Sequence, residues 1–210
     1  MTGCYHPAVA RGDEVRPETE PSGRFTYDDF LRFPDDGKRH EIIDGEHLVT
    51  PSPNTKHQVV VGNLYFALAT YLKVHPIGAV FLAPFDIVFS DIDVVEPDLL
   101  YISRQRLSIL TKQHVRGAPD LVVEVASPGT RRVDELIKRK LYDRFDVREY
   151  WILDPELDVI KVFRSVERAF VNAAELSAEA GDSLATPLLP GFSISLREVF
   201  EAPFSGSALR

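Results

Sequence analysis

Among its 210 residues the chain has one cysteine (Cys4), one methionine and one tryptophan. A single thiol excludes an intramolecular disulfide and fits a reducing compartment, so a cytoplasmic protein is expected. Long apolar runs are also missing. None could span a bilayer, and the start, MTGCYHPAVARGDEV, has no apolar core where a secretory signal would carry one, so no membrane partner is expected. Positive charge is scarce: 24 Lys and Arg face 32 Asp and Glu, a formal net charge of -8 at pH 7. Such a chain is not held on nucleic acid by its overall field, so a contact of that kind needs a local basic patch. There is no internal repeat and no low-complexity linker.

What remains is ordinary globular material, 44% hydrophobic and 27% charged, enough for one domain with a sizeable core. Residues 1–23, rich in Pro, Gly and charge, read as an N-terminal tail, 24–203 as a single domain, and 204–210 as a C-terminal tail. Thr26 and Asp29 fit a capping box for a short helix. Asp44-Gly45 in HEIIDGEHLV supplies the positive φ of a hairpin turn. Residues 55–74 carry Val59, Leu64, Leu68 and Leu72 near helical spacing. AVFLAPFDIVFS and VVEPDLLYIS flank the turn DID as an antiparallel pair, and REYWILDPELDVIKVFR reads as a second pair turned at Asp154-Pro155. TRRVDELIKRKLYDRFDV is the clearest helix, with Val133, Ile137, Leu141 and Phe145 as its apolar stripe. PGFSISLREVF predicts a strand and then a helix capped by Ser195. Hairpins mixed with one β–loop–α–β run indicate a mixed α/β or α+β domain.

The stretch PDLVVEVASPGT, residues 119–130, holds the chemistry. Leu121, Val122, Val123, Val125 and Ala126 predict a buried strand, yet Glu124 sits inside it. An unpaired buried charge costs on the order of several kcal/mol, so Glu124 needs a partner. Strand alternation places Asp120, Val122, Glu124 and Ala126 on one face. Pro97-Asp98 opens another strand; if the two are neighbours, Asp98 and Glu124 can share a cation. Hard carboxylate oxygens suit Mg²⁺ or Mn²⁺, and a structural ion pair is the plainer reading of Glu124. Asp120 is about 13 Å from Glu124 along the strand, too far to bind the same ion, and reads as structural. On the following helix Asp134, Lys138 and Tyr142 recur at i, i+4 and i+8, at the border of the apolar stripe, where a lysine can reach back over the sheet. Arg131, Arg132, Lys138, Arg139, Lys140, Arg144 and Arg148 form the densest positive run. It is either a solvated helix face or, in part, a track for a phosphate backbone, with Arg131, Arg132 and Lys140 the candidate nucleic-acid contacts.

The order PD, E-V-x-S-P-x-T, D-x-x-x-K-x-x-x-Y and E-Y-W-x-x-D-P resembles the Uma2 family of prokaryotic endonucleases, part of the PD-(D/E)xK, restriction-endonuclease-like superfamily. HEIIDGE, PSPNTKHQ, APFDIVFS and LLPGFSISL look like the family too, so the resemblance covers residues 25–200 or so. It implies a core sheet flanked by helices, Mg²⁺- or Mn²⁺-dependent phosphodiester cleavage in DNA, and a homodimer. Asp98 then matches the PD acid and Glu124 the D/E acid, both metal ligands. Position 126 is Ala where the superfamily carries its lysine, and Lys138 matches the displaced one. Glu41 and His57 recur in the family's N-terminal motifs and, with Asp134 and Tyr142, are expected to support the site. The rival reading is a non-catalytic nuclease-fold module that binds nucleic acid or assembles as a regulatory oligomer.

Overall fold

The computed structural model describes residues 23–50 and 52–202. Apart from Gly23, the two expected tails lie outside the described residues. Helix α1 (Tyr27–Phe30) starts at the Thr26–Asp29 capping box, in which Asp29 accepts from the Thr26 backbone N–H at 2.9 Å and its hydroxyl at 2.8 Å. Strands β1 (Arg39–Ile43) and β2 (Glu46–Thr50) form the expected hairpin, with Asp44 and Gly45 both at positive φ. Helix α2 (Thr55–Val74) follows, its N-terminus capped by Asn54.

The next apolar stretch departs from the reading as one strand. It breaks at Ala83-Pro84 into β3 (Gly78–Leu82) and β4 (Ile87–Ser90). After the DID turn come β5 (Asp93–Val95) and β6 (Leu99–Ser103). The two halves serve different sheets: β4 pairs with β5, whereas β3 pairs with β6. Proline has no N–H to continue a ladder, so a change of sheet falls naturally beside it. A 3₁₀ turn, Arg104–Ile109, leads to β7 (Val115–Arg116) and then β8 (Leu121–Val125), the strand that holds Glu124.

After β8 a π-helical segment, Val133–Lys138, runs directly into α3 (Arg139–Arg144). Of the expected stripe only Leu141 is fully buried; Val133 and Phe145 are half-buried and Ile137 is exposed. Asp134, Lys138, Leu141 and Tyr142 are buried, while Leu136 and Ile137 are exposed. The wider π turn rotates the start of the helix relative to a regular 3.6-residue repeat, and insertions of this kind recur at functional sites. One acid, Asp134, and a lysine, Lys138, then point inward where apolar residues were expected.

Strands β9 (Glu149–Asp154), β10 (Val159–Val166) and β11 (Ala169–Ser177) form a meander; β12 (Ser183–Ala185) and β13 (Ser193–Ser195) pair separately, and α4 (Leu196–Phe200) is capped by Ser195. The larger sheet has the order β11-β10-β9-β8-β6-β3 and the smaller β2-β1-β5-β4-β7. Its β8–β9 pair is parallel, as a helical crossover between them requires. Strand β8 sends Leu121, Val123 and Val125 into the core shared with α2 and α4, and Val122 and Ala126 into a second core with Leu141, Tyr142 and Tyr150. Glu124 shares the second face. No helix among the described residues is long and apolar enough to cross a membrane.

Candidate active site

Register brings the two acids together. Strands β6 and β8 are antiparallel with Leu99 opposite Val123, so Asp98, one step earlier, lies opposite Glu124. Residues directly opposed in this way have Cβ atoms about 5 Å apart. The Val125 N–H donates to Asp98 Oδ2 at 2.7 Å, which locks that carboxylate beside β8. Glu124 is 2% exposed, Asp98 3%, Lys138 3% and Glu41 1%. The site is a buried cluster of charge.

Lys138 answers the question that Glu124 raises. Its Nζ donates to Glu124 Oε1 at 3.0 Å and lies 2.9 Å from Glu41 Oε1 and 4.0 Å from Asp134 Oδ1. Tyr142, one further turn along, donates its hydroxyl to Glu124 Oε1 at 2.8 Å. The Asp134, Lys138 and Tyr142 spacing thus faces one strand acid. Glu41 also accepts from the Glu96 N–H at 2.9 Å, which ties the small sheet to the turn preceding Asp98. His57, on the first turn of α2, makes a 3.1 Å contact from Nε2 to Asp98 Oδ2.

Two residues were not singled out from the sequence. Arg39 donates from Nε to Glu96 Oε1 at 3.0 Å and from Nη2 to Asp98 Oδ1 at 2.9 Å. The signal was present, because strand alternation places Arg39 on the same face as Glu41, and Glu96 two residues before Asp98.

Burial pushes Glu124 up to about 8; Lys138 opposes this, and the carboxylates of Asp98, Asp134 and Glu41 add to it. Burial likewise raises Asp134 to about 6 against the pull of Lys138. For Asp98 burial acts upward too, but the His57 hydrogen bond, Arg39 and the Val125 N–H outweigh it and hold the acid at about 2. Burial disfavours the Lys138 ammonium, yet Glu124, Glu41 and Asp134 raise it well above the ordinary lysine value. Lys138 is therefore the fixed charge, and the acids around it outnumber it.

Glu124, Asp98, Asp134, Lys138, Arg39 and His57 line one cleft of about 670 Å³, bordered by the Ser127–Thr130 turn and residues 52–54. Among the described residues no three His, Cys, Asp or Glu side chains are set out as a ready metal cage. The space between Glu41, Glu124 and Asp134 is taken by the ammonium. Mg²⁺, however, commonly binds through one or two carboxylates and keeps several waters. Lys138 and Tyr142 both use Oε1 of Glu124, and among the described residues Asp98 accepts from Arg39 alone on Oδ1. The donor set fits a hard divalent cation held by Asp98 and Glu124.

The basic run disperses. Arg131 pairs with Asp154 at 2.5 Å, Arg144 with Asp44 and Asp93, and Arg148 with Asp120, while Arg139 lies over the Phe163 ring. Arg132 and Lys140 are exposed, and Lys140 lines a second, smaller hollow with Ile43, Leu136 and Arg144. Asp120 is structural, as expected: it accepts from the Ser103 N–H, Arg106 and Arg148.

A family model, Uma2, described as "Putative restriction endonuclease", matches residues 27–197. No curated protein matches the chain. Among solved structures the chain is similar to one described as "a putative nuclease belonging to DUF820 from Anabaena variabilis ATCC 29413", at 20% identity and a TM-score of 0.69, covering 84% of this chain and 97% of that one. At that identity the likeness speaks for the fold.

Proposed function

The chain belongs to the Uma2 family, and from that membership together with the geometry of the cleft we propose that it is a divalent-metal-dependent endonuclease hydrolysing phosphodiester bonds in DNA. The observation that carries this reading is the seat of Lys138. A lysine displaced from strand to helix still places its Nζ 3.0 Å from the strand acid.

In this reading Asp98 and Glu124 hold Mg²⁺ or Mn²⁺, which when bound polarises the phosphate and lowers the pKa of an attacking water. Lys138 orients that water and stabilises charge developing on the phosphoryl oxygens. Glu41 and Asp134 hold the ammonium in place, and Tyr142 fixes the Glu124 carboxylate by donating to Oε1. Arg39 and His57 do the same for Asp98. Arg132, exposed and two residues beyond Thr130 of the cleft wall, is the better phosphate contact, since Arg131 is already paired with Asp154. A homodimer is the expected assembly, and light scattering of the purified chain decides it.

The test is cleavage of supercoiled plasmid and circular single-stranded DNA with Mg²⁺ or Mn²⁺. Lys138→Ala should lose at least about a hundredfold in rate, the scale for removing one positioned donor from a transition state. Glu124→Ala serves as the inactive control. Parent-level cleavage by Lys138→Ala overturns its role. One observation favours a second reading, a non-catalytic module: both metal-candidate acids already have cationic partners from the chain itself. Absence of any divalent-metal binding by calorimetry, with no cleavage, would select it.

A further inference from the structure

We infer that the cleft takes unpaired DNA, a single strand or an unpaired loop, and excludes the intact duplex. The inference rests on the nuclease reading above and deepens it. Two observations carry it, depth and charge; the chemistry of the mouth bears on sequence preference.

Depth comes first. Glu124, Asp98 and Lys138, the groups that a scissile phosphate has to reach, are only 2–3% exposed. They lie in a cleft of about 670 Å³, the size of a small-molecule pocket rather than of a surface groove. The exposed lining residues, among them Asp35, Lys38, Pro53, Pro128 and Glu156, belong to loops around that floor. A duplex is stiff over about 150 base pairs, so it cannot bend one phosphate inward between these loops while its neighbours stay outside. A single strand can.

Charge points the same way. Six carboxylates line the cleft against three cations, Lys38, Arg39 and Lys138. At the mouth Lys38 is already paired with Asp36 at 3.2 Å, and Arg131, next in sequence to Thr130 of the lining, with Asp154 at 2.5 Å. Asp35 and Glu156 therefore face the phosphates flanking the one that enters. Duplex DNA carries about one charge per 1.7 Å of axis, twice the linear density of one strand, so the acidic mouth opposes it more strongly.

The mouth chemistry sets the sequence preference. Asn54 and Gln58 offer amide groups and Ser127 and Thr130 hydroxyls to a backbone, and among the described residues no Phe, Tyr or Trp lines the cleft. The cleft is suited to grip a sugar–phosphate chain and has no aromatic platform on which to stack successive bases. Little sequence preference follows.

The experiment compares one labelled sequence in three forms: a single strand, a full duplex, and a duplex with an internal unpaired loop. Cleavage is followed with Mn²⁺, and binding by fluorescence anisotropy in EDTA. The single strand should be cut roughly ten- to a hundredfold faster than the duplex, which must first give up pairing at the site, and the third substrate should be cut within its loop. Binding should rank the same way. In the double variant Asp35→Asn, Glu156→Gln, duplex cleavage should rise by a larger factor than single-strand cleavage. A duplex cut or bound as well as the single strand overturns this inference and leaves the nuclease reading standing. No cleavage and no binding of any form removes the nuclease reading, and this inference with it.

Discussion

Asp120, just before β8, and Glu124 within it lie four residues apart, both buried and both bound to cations, and they are otherwise opposites. Asp120 is saturated: it accepts from the Ser103 N–H at 2.7 Å, Arg106 at 3.2 Å and Arg148 at 3.0 Å. Its partners are cations reaching in from the surface, with 28% and 54% of their side chains exposed. Glu124 shares one buried ammonium with two other carboxylates, and its face opens on a cleft. A buried acid is thus no mark of function by itself. A buried acid in a local excess of like charge, beside a cavity, holds chemistry in reserve.

The largest effect expected from this contrast is on stability. Lys138→Met leaves Glu41, Glu124 and Asp134 without their shared cation, and breaking a buried pair from one side costs about 3–5 kcal/mol. Arg148→Met removes a half-exposed partner from an acid that keeps Arg106 and the Ser103 N–H, so it should cost under about 1 kcal/mol. Urea unfolding at pH 8 measures both. Equal losses would erase the distinction between the two acids.

Divalent metal comes next. Ion held by Asp98 and Glu124 stabilises the folded state by mass action, about 2.7 kcal/mol at a hundred times its dissociation constant. Thermal melting with and without Mn²⁺ should show this in the parent protein and in Asp120→Asn, and show it strongly reduced in Glu124→Gln. A full metal response in Glu124→Gln would place the ion elsewhere.

The same comparison explains how much of the molecule could be read from its sequence. Alternation in PDLVVEVA gave the strand, its buried face and the odd acid, because period-two burial is a local property. The Asp98–Glu124 pairing required β6 beside β8, a neighbourhood that no local pattern fixes. The helix stripe went the other way. Ile137 fits an apolar repeat, yet the π turn directs Asp134 and Lys138 inward, and nothing local announces a π turn. Arg39 was legible only in hindsight, since its partners Glu96 and Asp98 are nearly 60 residues away. Long-range charge compensation is the part of the site that single-residue patterns do not encode.

A smaller effect should appear in the pH dependence of stability without metal. Glu124 is raised from 4.5 to about 8 and Asp134 from 3.8 to about 6, so between these limits the folded state binds more protons than the unfolded one. Their contribution is complete below about pH 4 and is lost as pH rises, with a slope of up to about 1.4 kcal/mol per unit for each proton involved. Asp98, held at about 2, acts in the opposite sense and its contribution is lost only in acid. Glu124→Gln should flatten the fall between pH 5 and 8, and Asp120→Asn should leave it as steep. Chemical denaturation across that range decides between them.

The smallest expected effect separates two exposed cations of the same helical region, Arg132 and Lys140. Neither change should move stability by more than about 0.5 kcal/mol, as is usual for surface positions. Their difference lies in where they point. Arg132 lies two residues after Thr130, which lines the cleft, whereas Lys140 lines the second hollow beside Ile43 and Leu136. A phosphate contact contributes about 0.7 to the slope of log affinity against log salt for a single strand. Arg132→Ala should lower the slope by about that amount and weaken binding uniformly across sequences. Lys140→Ala should leave the slope unchanged. Salt titrations of single-strand binding for the parent and both variants measure it directly. A lowered slope in Lys140→Ala would mean that the strand leaves the cleft over the hairpin side of the helix, and the path drawn from Arg132 would have to be redrawn through Lys140.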